Sequence, residues 1–147
     1  MTPEQAVDRE AIRYTLALYN TEGDRGKTDA LAEAFTEDGV LHIDDSGTEF
    51  TGRAAISAGL STAITWDGAD AEPPLLRHNL TTSRIEFDGP DTARAWTYFF
   101  VITRAGVDHM GRYIDRFVRS GSSWLIAHRR VKVEWRSPAS LVRGENR

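Results

Sequence analysis

The chain has 147 residues, 40% of them hydrophobic and 27% charged, and a formal net charge of −4; this fits one globular domain with a buried core and argues against nucleic acid or an anionic membrane as a partner. Cysteine is absent, which excludes disulfides, thiolate metal sites and cysteine nucleophiles. No apolar stretch approaches the roughly 20 residues of a membrane span, and the opening MTPEQAVDRE lacks a hydrophobic signal core, so the expectation is a cytoplasmic protein.

The first half of the chain reads as helices. Thr2, Pro3 and Gln5 make a helix-start signal: a capping hydroxyl, a proline suited to the first helical position, and a glutamine that closes a capping box. Val7, Ala11, Tyr14 and Leu18 recur at helical spacing, with Ile12, Leu16 and Tyr19 as a second line. So wide an apolar arc predicts a helix covered on two sides, ending near Gly23 and Gly26. A short helix capped by Thr28 should follow, with Leu31 and Phe35 inward. Residues 39–44 (GVLHID) read as a short strand against which GTEF can pair back. A third helix from Thr51 or Gly52 carries Ile56, Leu60 and Ile64 on one face, and residues 66–74 (WDGADAEPP) read as loop.

The second half reads as strands. Residues 75–87, 92–103, 109–120 and 123–135 are rich in β-branched and aromatic side chains and are separated by short turn-like segments, which favours antiparallel neighbours. Helices first and long hairpin strands after predict a single α+β domain over residues 1–147, with a core of about 4–138 and a loosely ordered or partner-reaching tail over 139–147.

Strand alternation then isolates the polar residues that need a reason to face inward. Arg129 shares parity with Leu125, Ala127, Val131, Val133 and Trp135; it is either a buried ion-pair partner or a fixed cation for an oxyanion. Asp115 shares a face with Gly111, Tyr113 and Phe117, so it must be paired, for example with Arg129, or carry a raised pKa. His78 goes with Leu80 and Thr82, whereas Ile85 and Phe87 have the opposite parity; both sets face the core only if a β-bulge lies near Ser83. Asp24 reads by itself as a turn or capping aspartate. His42, His78, His109 and His128 have no metal-ligand spacing, so no metal is expected.

Taken in order, YNTEGDRGKTDALAEAFTEDGVLHI, GRAAI, RHNLTTSRIEFDG and GRYIDRFVRSGSSWLIAHRRVKVEW resemble a SnoaL-like domain of the nuclear-transport-factor-2-like superfamily. The likeness is to the branch with scytalone dehydratase, hexachlorocyclohexane dehydrochlorinase and bile-acid 7α-dehydratase. The resemblance implies a cone-shaped, strongly curved antiparallel sheet wrapped around three N-terminal helices, with a pocket at the open end. It also implies a catalytic Asp24–His78 pair, Arg129 assisting a leaving group, and Tyr19 and Asp115 lining the pocket. Tyr113, Phe35 and Trp66 are further aromatic candidates for the lining. The implied activity is cofactor-free proton abstraction by an Asp–His dyad from a hydrophobic cyclic molecule, as a lyase or isomerase, in a homodimer or homotrimer. Two other readings stay open: a non-catalytic binding or assembly module like a dioxygenase small subunit, and a polyketide cyclase or ketosteroid-isomerase-like enzyme with an aspartate base.

Overall fold

In the computed structural model, residues 1–63 and 75–142 are described; Ile64, Trp66 and the expected loop over residues 66–74 lie outside them. Helix α1 (Pro3–Asp24) opens on the capping box, with Thr2 Oγ1 accepting from the Gln5 N–H and the Gln5 side chain accepting from the Thr2 N–H. Only one side of α1 is covered. Ile12, Leu16 and Tyr19 are buried, whereas of the other expected line Val7 and Tyr14 are exposed and Ala11 and Leu18 only partly covered. Helix α2 (Thr28–Ala32) is capped at Lys27 without a side-chain bond; Thr28 Oγ1 instead accepts from Ser57 Oγ of α3 (Arg53–Ala63).

The strands are β1 (Phe35–Ile43), β2 (Thr48–Thr51), β3 (Arg77–Phe87), β4 (Thr92–Thr103), β5 (Gly106–Ser120) and β6 (Ser123–Arg136). Strand β1 starts at Phe35, four residues before the expected GVLHID segment. They form one curved, unclosed sheet in the order β2-β1-β6-β5-β4-β3. The sheet is mixed rather than wholly antiparallel, because β1 lies parallel to β6. Short turns fix the antiparallel hairpins β3–β4–β5–β6, but the pairing of β1 with β6 joins distant parts of the chain through the core.

Bulges bend the sheet over the helices. In β3 the register shifts between Leu80 and Ser83, where Thr81 and Thr82 oppose Tyr98. That extra residue reconciles the parities: His78 and Leu80 lie on the same side as Ser83, Ile85 and Phe87. In β6 an extra residue at Ala127 has the same effect. Trp124 and Ile126 are therefore the fully buried residues that precede Arg129, in place of the expected Leu125 and Ala127. Trp135 is exposed, past a second shift at Glu134. Gly111 permits the close approach there, since a Cβ would stand 2.0 Å from the Lys132 carbonyl oxygen.

The inner face of the sheet closes on α1 and α2 through Leu16, Tyr19, Leu31, Phe35, Tyr113 and Trp124. Asp8 of α1 pins the helix to the sheet, accepting two hydrogen bonds from Arg119 and one from Trp124 Nε1. These bonds hold the Asp8 carboxyl below its ordinary pKa.

Candidate active site

Asp24 is the last residue of α1, where Gly26 (φ 71°) turns the chain into α2. Gly23 lets this corner pack closely, since a Cβ would sit 2.9 Å from Leu31 Cδ1. The corner brings Asp24 to the start of β3. Its Oδ2 accepts the His78 backbone N–H at 2.9 Å, and its Oδ1 lies 2.6 Å from His78 Nδ1. An ionised carboxylate only accepts, so Nδ1 carries a proton and Nε2 is the ring nitrogen left for another partner. No described residue bonds to that nitrogen. The Asp24 and His78 side chains keep 10% and 21% of their exposure, so the pair is sheltered but reachable.

The other candidates form a second cluster. Arg129 of β6 and Asp115 of β5 stand opposite each other in register and make a fork of two hydrogen bonds, Nε to Oδ1 at 2.8 Å and Nη2 to Oδ2 at 2.7 Å. Both side chains are fully buried. The guanidinium lies over the rings of Tyr19 and Tyr113, at 4.2 and 3.9 Å from their centroids. Burial opposes its charge, but Asp115 outweighs burial and holds the Arg129 pKa above its ordinary value. Burial likewise raises the hydroxyl pKa of Tyr19 and of Tyr113. Tyr113 donates to Asn20 Oδ1 at 3.0 Å, and Phe35 packs edge-on against Tyr19 deep in the core. Of the two readings for Asp115, the paired one holds. Arg129 Nη1 is buried and lacks an acceptor among the described residues.

Phe99 of β4 links the clusters, stacking on Tyr113 at 4.6 Å and lying 6.1 Å from the His78 ring. The interior thus holds Asp24 and His78 at one end, and Tyr19, Tyr113, Asp115 and Arg129 at the other. Trp66 lies outside the described residues.

Sequence reasoning missed a second carboxylate–imidazole pair. The register of β4 and β5 shifts between Val101 and Ile102, making Asp108 an extra residue. Asp108 and His109 are consequently both buried, where plain alternation would separate them. His109 Nδ1 lies 2.7 Å from Asp108 Oδ1, and its ring centroid is 6.4 Å from that of His78. Burial lowers the His109 pKa, with Arg136 and His78 acting in the same direction and Asp108 opposing them. Burial also opposes ionisation of Asp108, but hydrogen bonds from Ser140, His109 and the Leu141 N–H prevail and hold its carboxyl below the ordinary value. The expected loose tail is in part an anchored one, since Ser140 Oγ and the Leu141 N–H reach Asp108 at 2.6 and 2.7 Å. The only signal in the sequence was the Asp108-His109 dipeptide near a strand start. Among the described residues no group of three or more histidine or acidic side chains could hold a metal ion, and no helix is long and apolar enough to cross a membrane.

A curved sheet over N-terminal helices, with charged and imidazole groups on its inner face, defines a protein of the cystatin-like, nuclear-transport-factor-2-like class. The SnoaL-like domain pattern matches residues 4–130, and the chain belongs to that family. A solved variant of Rv3472, a protein of unknown function from Mycobacterium tuberculosis, is 29% identical over 91% of this chain and 77% of its own, with a TM-score of 0.74. An NTF2-like protein with a cystatin-like fold from Novosphingobium aromaticivorans is 27% identical over 93% of this chain and 88% of its own, with a TM-score of 0.72. A provisionally assigned scytalone dehydratase from the same organism covers 100% of this chain and 99% of its own at a TM-score of 0.74; at 20% identity it bears on the fold alone. No curated protein sequence matches the chain.

Proposed function

We propose that the chain works as a single-domain, cofactor-independent lyase or isomerase of the cytoplasm, with His78 removing a carbon-bound proton from a hydrophobic cyclic molecule. One observation carries this reading: Asp24 holds both the ring Nδ1–H and the backbone N–H of His78, and leaves Nε2 unbonded. An imidazole held with its proton on Nδ1 offers Nε2 as the base, and the carboxylate stabilises the imidazolium formed. Arg129 is the candidate for meeting negative charge that develops on the substrate. Its guanidinium is fully buried and forked onto Asp115, so it would act through its charge from behind Tyr19 and Tyr113 rather than by direct contact. Tyr19, Tyr113, Asp115 and Phe35 then act by building the wall that holds the arginine.

The alternative with an aspartate base is less well supported, since Asp24 is bonded to His78 and Asp115 to Arg129. A purely binding or assembly module has no need of an oriented imidazole with a free lone pair. A further copy of the chain is the proposed partner: Tyr98, Ile102, Met110 and Trp135 are exposed on the outer side of the sheet and suit a homodimer or homotrimer.

The test is hydrogen–deuterium exchange at the acidic carbon of enolisable ring ketones such as 2-tetralone. His78→Gln and Asp24→Asn should each lose about 10²–10⁴ in rate. Full exchange by a folded His78→Gln protein would end the proposal.

A further inference from the structure

We infer that His109 is a specificity residue that accepts a hydrogen bond from a substrate hydroxyl beside the carbon His78 deprotonates, and that the C-terminal segment sets its orientation through Asp108. This rests on the reading of His78 as base and adds the substrate's second functional group.

The ring chemistry follows from the partner. Asp108 Oδ1 lies 2.7 Å from Nδ1, so Nδ1 carries the proton and Nε2 presents a lone pair. That nitrogen bonds to no described residue and is not among the sealed side-chain atoms that lack a hydrogen bond. The charged and titratable groups acting on the His109 ring are Asp108 on its own strand, His78 from β3 and Arg136 from β6. Only 7% of the His109 surface is exposed, and burial, Arg136 and His78 all disfavour its charged form. The two rings stand 6.4 Å apart, nearly perpendicular, and both lie beside Phe99, so a molecule that engages both bare nitrogens needs two donors on adjacent positions. One is the acidic C–H; the other is a hydroxyl of a phenol, enol or alcohol. A halide or ether in that place leaves Nε2 without a donor.

The orientation is set from outside the site. Both Asp108 oxygens are occupied: Oδ1 by His109 and Ser140 Oγ, and Oδ2 by Thr103 Oγ1 and the Leu141 N–H. The Ser137 N–H also bonds to the Asp108 carbonyl at 2.8 Å. Residues 137–142 therefore act as a strap on the carboxylate that fixes the His109 tautomer, which makes Ser140 a positioning residue.

The experiment compares 2-tetralone carrying a hydroxyl on the ring carbon peri to the acidic methylene with its O-methyl ether. Exchange in D₂O gives kcat/KM for each. The wild type should prefer the hydroxyl compound by about 10-fold or more. His109→Leu should bring the ratio close to one while exchange of the ether persists, and Ser140→Ala should give an intermediate ratio. Nitrogen NMR of the wild-type histidines supplies a readout independent of turnover: Nδ1 of His109 protonated, Nε2 bare, and Nε2 shifted by the hydroxyl compound but not by the ether. If neither compound exchanges, the role of His78 fails and the binding shift still decides His109. An unchanged hydroxyl preference in folded His109→Leu, a protonated Nε2 in the free protein, or no Nε2 shift with the hydroxyl compound overturns the inference.

Discussion

Asp24 at the end of α1 and Asp115 on β5 each hold a residue of the sheet and differ in what they hold. Asp115 meets a guanidinium, with both side chains fully buried and a fork of two bonds between them. Asp24 meets an imidazole that is 21% exposed. A guanidinium keeps its proton at any working pH, so the Asp115–Arg129 pair fixes geometry and charge. An imidazole can both take and give a proton, so the Asp24–His78 pair holds a group that can change state. The contrast separates a rigid wall from a reactive rim, and each side can be broken separately.

The largest effect is expected from Asp115→Ala, which strands a buried guanidinium between Tyr19 and Tyr113. The loss should be about 3–5 kcal/mol in urea unfolding, while Asp115→Leu combined with Arg129→Met should recover much of it, because two apolar residues leave no charge uncompensated. A double variant as unstable as the single one would mean that the pair does more than compensate charge. Gly111→Ala comes next. The added Cβ would meet the Lys132 carbonyl oxygen at 2.0 Å, pressing β5 and β6 apart beside the wall. A cost of about 1–3 kcal/mol is expected from such overpacking, read as a fall in urea midpoint.

Asp24→Asn sharpens the contrast from the reactive side. An asparagine oxygen can still accept the His78 backbone N–H, but the charged bond to Nδ1 is lost. Stability should drop by only about 1–2 kcal/mol, well below the Asp115→Ala loss. Calorimetry of the two variants side by side checks the order; a larger loss at Asp24 would make that pair the structural one.

The sequence carried some of this arrangement more openly than the rest. Helix α1 was legible because Thr2, Pro3 and Gln5 are local signals, and the four long strands because their residue types and turns are local too. The bulge near Ser83 could be inferred from a conflict of parity between His78 and Ile85. The bulges at Asp108 and Ala127 could not, since each depends on how two strands align, and strict alternation then put Leu125 and Ala127 on the wrong face. The parallel pairing of β1 with β6 joins residues far apart in the chain, so no short-range pattern announces it. Asp24 and His78 lie 54 positions apart, and only the family resemblance suggested that they meet. The Asp108–His109 pair escaped because alternation assigns neighbours to opposite faces.

The smallest effect concerns the buried imidazole, and its sign follows from burial. Folding lowers the His109 pKa, so the unfolded chain takes up a proton near the ordinary value of about 6.5 while the folded chain resists it. The stability tied to His109 is complete above that pH and is lost as pH falls towards the folded value, no faster than about 1.4 kcal/mol per pH unit. Asp108, whose folded pKa is also lowered, adds its own loss only below about 3.9, so the two windows do not overlap near pH 6. His109→Gln should therefore be less acid-sensitive than the wild type between about pH 6.5 and 5, because glutamine has no proton to gain. The measurement is the urea midpoint of both proteins at half-unit pH steps, taken as a difference so that His42, His78 and His128 cancel. Converging curves as pH falls would mark His109 as an imidazole kept neutral by its surroundings, unlike the permanently charged Arg129. Parallel curves would mean that folding leaves the affinity of His109 for protons unchanged, and the neutral acceptor would lose its physical basis.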